Sequence, residues 1–191
     1  MLEIFDIPSL IATYGYLGVG IIVFLESGIF FALPGDSLLF TAGILASADL
    51  ISISLIIPVI FFSTFFGSVV GYHIGVYIEK LRHYRILKSI LKTEHIEKAG
   101  IFFKKHGKIT MLISRFVPIV RTFVPIVAGI AKMNYNSFLK WNLFGSFLWA
   151  NIMTLLGYFL GKIMPGVIDY AHYFIIGVVL VSLIPLFLKK K

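Results

Sequence analysis

The sequence predicts an all-α polytopic membrane protein. It reads as an inverted repeat of a re-entrant helical hairpin plus a transmembrane helix, with an additional C-terminal transmembrane helix. Three observations predict this. The chain is 59% hydrophobic and 14% charged, with a mean hydropathy of +0.96, whereas soluble domains carry about 25% charged residues. Long apolar runs recur, some unbroken and others interrupted by proline, glycine and charge. The two halves also share short motifs in the same order. At 191 residues the chain reads as one membrane domain.

The elements follow in order. Residues 9–31 are apolar but contain Gly15, Gly18, Gly20 and Glu26. Residues 33–46 (LPGDSLLFTAGILA) form a second apolar piece, shorter than the roughly 20 helical residues needed to cross about 30 Å of hydrocarbon. Leu33-Pro34-Gly35 is a turn signal between them. Residues 20–47 are therefore expected to form a re-entrant hairpin with Pro34 and Gly35 at its tip, within a first repeat over 9–78. Residues 51–78 are free of charge and read as a full transmembrane helix. Residues 79–108 are rich in Lys and Arg and read as a basic cytoplasmic loop with short interfacial helices. The second repeat covers 109–161. Its opening piece, 109–131, contains SRFVPIVRTFVPIVAGIA, in which Pro118 and Pro125 break an apolar run that holds Arg115 and Arg121. Proline lacks a backbone N–H and clashes with the preceding turn, so this piece reads as the second re-entrant hairpin. Residues 137–161 and 167–188 read as further spanning helices, joined at Pro165-Gly166, and the chain ends in Lys189-Lys190-Lys191.

Charge placement sets the expected orientation. The net charge of +8 lies beside apolar spans, as orientation signals do, and argues for a membrane rather than nucleic acid. The basic loop and the lysine tail are expected in the cytoplasm, which makes this a multi-pass protein of the cytoplasmic membrane with a cytoplasmic C-terminus. The preferred topology has an external N-terminus and three full spans. In the alternative, residues 9–31 span completely and the N-terminus is internal. MLEIFDIPSL carries Glu3 and Asp6 and no basic residue, so no cleavable signal is expected. With no cysteine, disulfides and thiolate metal sites are excluded.

The repeat is carried by small motifs. Ala42-Gly43-Ile44 matches Ala128-Gly129-Ile130, and Phe66-Gly67-Ser68 matches Phe144-Gly145-Ser146. Gly71-Tyr72-His73-Ile74-Gly75 matches Gly157-Tyr158-Phe159-Leu160-Gly161, at a longer spacing in the second helix. Transporters with inverted repeats bind substrate where discontinuous segments of both halves meet. The plainer reading is that these glycines permit close helix packing.

Intramembrane charge is costly and marks pathways or protein interiors. Glu26 and Asp36 flank the first turn signal, and Arg115 and Arg121 flank Pro118. Arginine stays charged when buried and grips phosphate or carboxylate with its planar fork. Burial favours a neutral carboxyl, whereas a neighbouring guanidinium favours the carboxylate. An anion that takes the arginines from Glu26 and Asp36 would thus couple its movement to protons. The alternative is a lattice of ion pairs that only ties the hairpins together. His73 is expected as a hydrogen-bonded core histidine, with a proton relay as the alternative. Asn142 and Asn151 are expected to bond between helices, Lys132 and Lys140 to snorkel, and Trp141 and Trp149 to anchor at the interface. His83, His95 and His106 have no ligand spacing, so neither metal nor cofactor is expected.

These motifs resemble a known family. Phe24-Leu25-Glu26-Ser27-Gly28 with Leu33-Pro34-Gly35-Asp36-Ser37-Leu38-Leu39 and Ala42-Gly43 is similar to the first signature of the DedA family of VTT-domain membrane proteins. Ser114-Arg115-Phe116-Val117-Pro118-Ile119-Val120-Arg121-Thr122, with Pro125 and Ala128-Gly129, resembles its second signature. Asn142, Gly145 and Trp149 also fit, so the resemblance covers nearly the whole chain. It implies a lipid translocase. Bacterial members are implicated in returning undecaprenyl phosphate across the cytoplasmic membrane or in moving phospholipids, with dependence on the proton-motive force, and eukaryotic relatives scramble phospholipids. The family's essential acidic pair falls on Glu26 and Asp36, and its essential arginines on Arg115 and Arg121.

The expected function is a proton-linked flippase for a lipid with an anionic phosphate headgroup, using Arg115 and Arg121 for substrate and Glu26 and Asp36 for protons. A small-ion or proton antiporter and a passive phospholipid scramblase are the alternatives. An enzyme is not expected, because no nucleophile sits with a base in the broken segments. Lipid and protons are the expected partners, with a homo-oligomer left open.

Overall fold

In the computed structural model of the chain, the described residues are 15–29, 35–80, 101, 105, 106, 109–164 and 166, and every element among them is helical. The expected hairpin tip at Pro34, most of the basic loop 79–108 and the expected helix 167–188 lie outside the described residues.

Helix α1 (Tyr16–Gly28) and helix α2 (Gly35–Ser47) have 13 residues each. At 1.5 Å per residue each is about 20 Å long, short of a membrane crossing. Helix α3 (Ile53–Lys80) has 28 residues. It is long and apolar enough to cross, and so is the last described helix, Tyr135–Ile163. Both present large apolar side chains outward, including Leu55, Phe62 and Phe66 on the first and Phe144, Phe147, Leu156 and Phe159 on the second. A surface so apolar is anomalous in water and ordinary against hydrocarbon.

The Arg-bearing segment is broken once. Residues 109–113 are helical, Ser114–Phe116 form a 3₁₀ turn, and Val117 is extended at φ −114°, ψ 106°. Helix α4 (Pro118–Ile130) then begins with proline in its first turn, and helix α5 (Tyr135–Ile163) follows. Val117 precedes a proline, whose Cδ disfavours the helical region for its neighbour, and proline is at home in a first turn because its missing N–H would be unsatisfied there anyway. The expectation that Pro125 also breaks the chain is corrected: Pro125 lies buried inside continuous α4. Pro125 packs next to Gly71, where a Cβ would stand 3.5 Å from the Pro125 Cβ, an ordinary contact distance.

The chain divides into two compact units. In the unit formed by residues 1–23, 32–63 and 150–191, α2 crosses the C-terminal half of α5 at Gly43 and Gly157. A Cβ at Gly43 would collide with the Thr154 carbonyl, and one at Gly157 with the Phe40 carbonyl. Tyr16 accepts a 2.6 Å bond from the Ser52 backbone N–H, tying α1 to the start of α3. In the unit formed by residues 24–31 and 64–149, α4 crosses the C-terminal half of α3 at Gly129 and Gly75, again with carbonyl collisions for any Cβ. The matched glycine motifs therefore do serve close packing, in the same manner in each unit. Met111 from before the break and Val124 and Ala128 from after it share one apolar cluster with Tyr72 and Phe138, and the Tyr72 hydroxyl donates to the Met133 carbonyl at 2.6 Å.

Two faces in this second unit are unusual in a membrane helix. Thr64, Gly67, Ser68, Gly71, Tyr72 and Gly75 form a buried stripe on α3, and Asn142, Gly145, Ser146 and Trp149 form one on α5. Both follow the i, i+3, i+4, i+7 spacing of a single helix face. The residues are small or polar where hydrophobics would be expected.

Candidate functional site

The two stripes receive Arg115. Its side chain comes from the 3₁₀ turn, where the break at Val117 frees the backbone from helical geometry, and it is 4% exposed. It passes Gly145, where a Cβ would stand 3.3 Å from Nε. Nη2 donates to Ser68 Oγ at 2.9 Å and to Asn142 Oδ1. Both acceptors are held in turn. Asn142 Nδ2 donates to the Phe65 carbonyl at 3.1 Å, and Ser68 Oγ donates to the Ser27 carbonyl at 3.5 Å. Neither partner of Arg115 among the described residues carries charge, so a buried cation is solvated here by neutral oxygens.

Arg121 sits in the first turn of α4 and forms a buried ion pair with Glu26 Oε1, with both side chains 3% exposed. Its guanidinium carbon lies 4.5 Å from the centroid of the Trp149 ring. Thr122 Oγ1 donates to the Glu26 carbonyl at 3.0 Å, which fixes α1 against α4 at this point. Glu26 Oε2 is buried and has no hydrogen-bond partner among the described residues. Gly145 and Trp149 are four residues apart on one face of α5, so the two positions of α5 that meet the arginines lie about 6 Å apart along the helix axis.

Of the four charges singled out from sequence, the structure brings Glu26 to Arg121 and places Arg115 beside them. The expected pairing of carboxylate with arginine is seen for Glu26 with Arg121, while Arg115 donates to the neutral Ser68 and Asn142. Asp36 belongs to the other unit, half-buried in the first turn of α2, where the helix dipole favours negative charge. Gly35 opens α2, and Pro118 opens α4. His73 is exposed, its ring 5.8 Å from Tyr72 and 5.4 Å from Tyr135, so the core-histidine expectation is corrected. Trp149 is 1% exposed and stacks on Arg121, so its reading as an interface anchor is corrected as well. Trp141 packs against the apolar cluster. Asn142 bonds between helices as expected, and the sequence reading missed that its other end holds Arg115. Lys132 pairs with Glu79 at 3.2 Å on the surface.

Chemically, among the described residues, this unit buries two arginines, Arg115 and Arg121, and the carboxylate of Glu26. Guanidinium donors can take oxyanions bidentately.

Comparison with known proteins agrees with the motifs. Residues 33–159 match the VTT domain. Protein DedA of Escherichia coli K12 is 38% identical over 186 residues, covering 94% of this chain and 84% of DedA. A membrane protein of Mycobacterium leprae is 37% identical over 166 residues, 86% of this chain and 74% of that one. The inner membrane protein YqjA of Escherichia coli K12 is 35% identical over 157 residues, 81% of this chain and 71% of YqjA. No solved structure matches.

Proposed function

The chain belongs to the DedA family of VTT-domain membrane proteins, and from that premise we propose that it is a transporter that flips a lipid bearing an anionic phosphate headgroup across the cytoplasmic membrane. A relative is named as an inner membrane protein, and α3 and α5 have the length and apolarity to cross. In this reading α1 with α2, and residues 109–130 with their break at Val117, are the two re-entrant hairpins of an inverted repeat, and the C-terminus is cytoplasmic.

One observation carries the proposal. Arg115 is buried, always charged, and hydrogen-bonded among the described residues to neutral Ser68 and Asn142. Uncompensated buried cations are costly unless something anionic visits them. The uncapped start of α4 lies two residues on, and a helix N-terminus adds favourable potential for an anion. The phosphate would dock on Arg115 and compete with Glu26 for Arg121. Glu26, displaced into a buried setting, takes a proton and returns it when the lipid leaves, and Asp36 is assigned to coupling by its motif. No covalent step is required, so the protein acts as a carrier and not an enzyme.

The test replaces each arginine by lysine. Lysine keeps the charge and loses the fork. Hydrogen bonds to a charged group contribute about 1.5–3 kcal/mol, so Arg115→Lys and Arg121→Lys should each lose roughly ten- to hundredfold in transport while still inserting. Wild-type transport by both variants overturns the phosphate clamp.

A further inference from the structure

The geometry points to Trp149 as a positioning residue for Arg121: its indole face holds the guanidinium in place through the part of the cycle in which Glu26 has let go. This rests on the anion-carrier reading above and assigns a role that the charges alone do not.

The two arginines are held differently. Arg115 has permanent neutral partners on α3 and α5, Ser68 and Asn142. Arg121 has an acidic partner, Glu26, and an aromatic one, Trp149. Glu26 engages through Oε1, and its buried Oε2 has no hydrogen-bond partner among the described residues. Its side chain is therefore gripped from one side, as suits a partner that leaves. Trp149 is 1% exposed and belongs to the buried stripe of α5, so it has nowhere to go.

The two contacts also differ in kind. A carboxylate or phosphate takes the in-plane N–H donors. The Trp149 ring, its centroid 4.5 Å from the guanidinium carbon, offers its π face instead. A π-face contact needs no hydrogen-bond acceptor, so it does not compete with an incoming oxyanion, and it supplies a favourable electrostatic field when the carboxylate is neutral. A merely space-filling tryptophan would have no preference for being aromatic.

The experiment uses full-length protein in liposomes, with a fluorescent short-chain phosphatidic acid as probe, and measures translocation against probe concentration and pH. Trp149→Phe keeps an aromatic face and should stay within about threefold of wild type in KM. Trp149→Leu keeps apolar bulk only and should raise KM roughly tenfold to thirtyfold, the range a desolvated cation–π contact supports. Its defect should deepen when Glu26→Gln is added, because Arg121 then lacks both the carboxylate and the ring. A structural role would lower the amount of folded protein and leave the KM of the surviving fraction alone. If wild type moves the probe and Trp149→Leu has the wild-type KM, or if leucine and phenylalanine behave alike, the positioning role is overturned. If wild type moves no phosphate-bearing probe, it is the carrier reading that fails.

Discussion

Exchanging Asn142 for aspartate tests the reading of Arg115 with almost no change of shape. In the native protein Asn142 Oδ1 accepts from Arg115 and Nδ2 donates to the Phe65 carbonyl. Asn142→Asp keeps the acceptor and makes it anionic. It loses the bond to Phe65, about 1 kcal/mol, and strengthens the one to Arg115 by a similar amount, since bonds to charged groups contribute about 1.5–3 kcal/mol. Stability should therefore stay within about 1 kcal/mol of wild type. Transport should not. The cation now owns a buried counter-ion, and separating a buried pair costs about 3–5 kcal/mol, which converts to a loss of a hundredfold or more. Asn142→Leu is the control with the opposite pattern. It removes both bonds and should destabilise by about 2.5–4 kcal/mol. Unfolding in detergent and phosphatidic acid translocation in liposomes read the two quantities separately. A stable Asn142→Asp protein that transports at the wild-type rate would refute the assignment of Arg115 as the resident anion site.

Two further outcomes follow from the same account. Single cysteines at Lys92 and Lys190 should resist impermeant thiol reagents applied outside whole cells, whereas one at the exposed Asp49 should react; strong external labelling at Lys92 would overturn the orientation. Glu26→Gln should flatten the pH dependence of transport, and Asp36→Asn should do the same, because neither amide can release a proton; unchanged pH profiles in both would leave the carboxylates as structural partners and favour passive scrambling.

Much of the helix pattern could be read from hydropathy. The expected spans 51–78 and 137–161 appear as helices Ile53–Lys80 and Tyr135–Ile163, and the apolar piece 33–46 appears as helix Gly35–Ser47. These boundaries were accessible because apolar length and turn residues are local. The two prolines of the second segment show where local reading stops. Pro118 and Pro125 look alike in sequence, yet one follows an extended residue and opens a helix while the other sits within it. The residue before each differs too: extended Val117 precedes Pro118, while Val124 before Pro125 is helical and belongs to the buried apolar cluster, which is a tertiary setting.

The site was legible in its charges and in the pairing of Glu26 with an arginine, and not in its neutral partners. Glu26, Arg115 and Arg121 stood out because buried charge is rare in apolar runs. Their partners did not, because Ser68, Asn142 and Trp149 are ordinary residues taken singly. A signal was present in Asn142, Gly145, Ser146 and Trp149, whose spacing puts a polar and small-residue stripe on one face of α5. Such a stripe inside a lipid-exposed helix marks the face that meets buried charge. That Trp149 stacks on an arginine instead of anchoring at the interface depends on which turn of α5 passes Arg121, and that is a tertiary fact.

The most direct measurement is translocation by the purified protein in liposomes with headgroup and tail varied separately, read by leaflet-specific quenching. The account predicts that phosphatidic acid moves, that an uncharged glycolipid with the same tails does not, and that Arg115→Lys abolishes most of the difference. Equal movement of the charged and uncharged lipids, or a difference that survives Arg115→Lys, would contradict it.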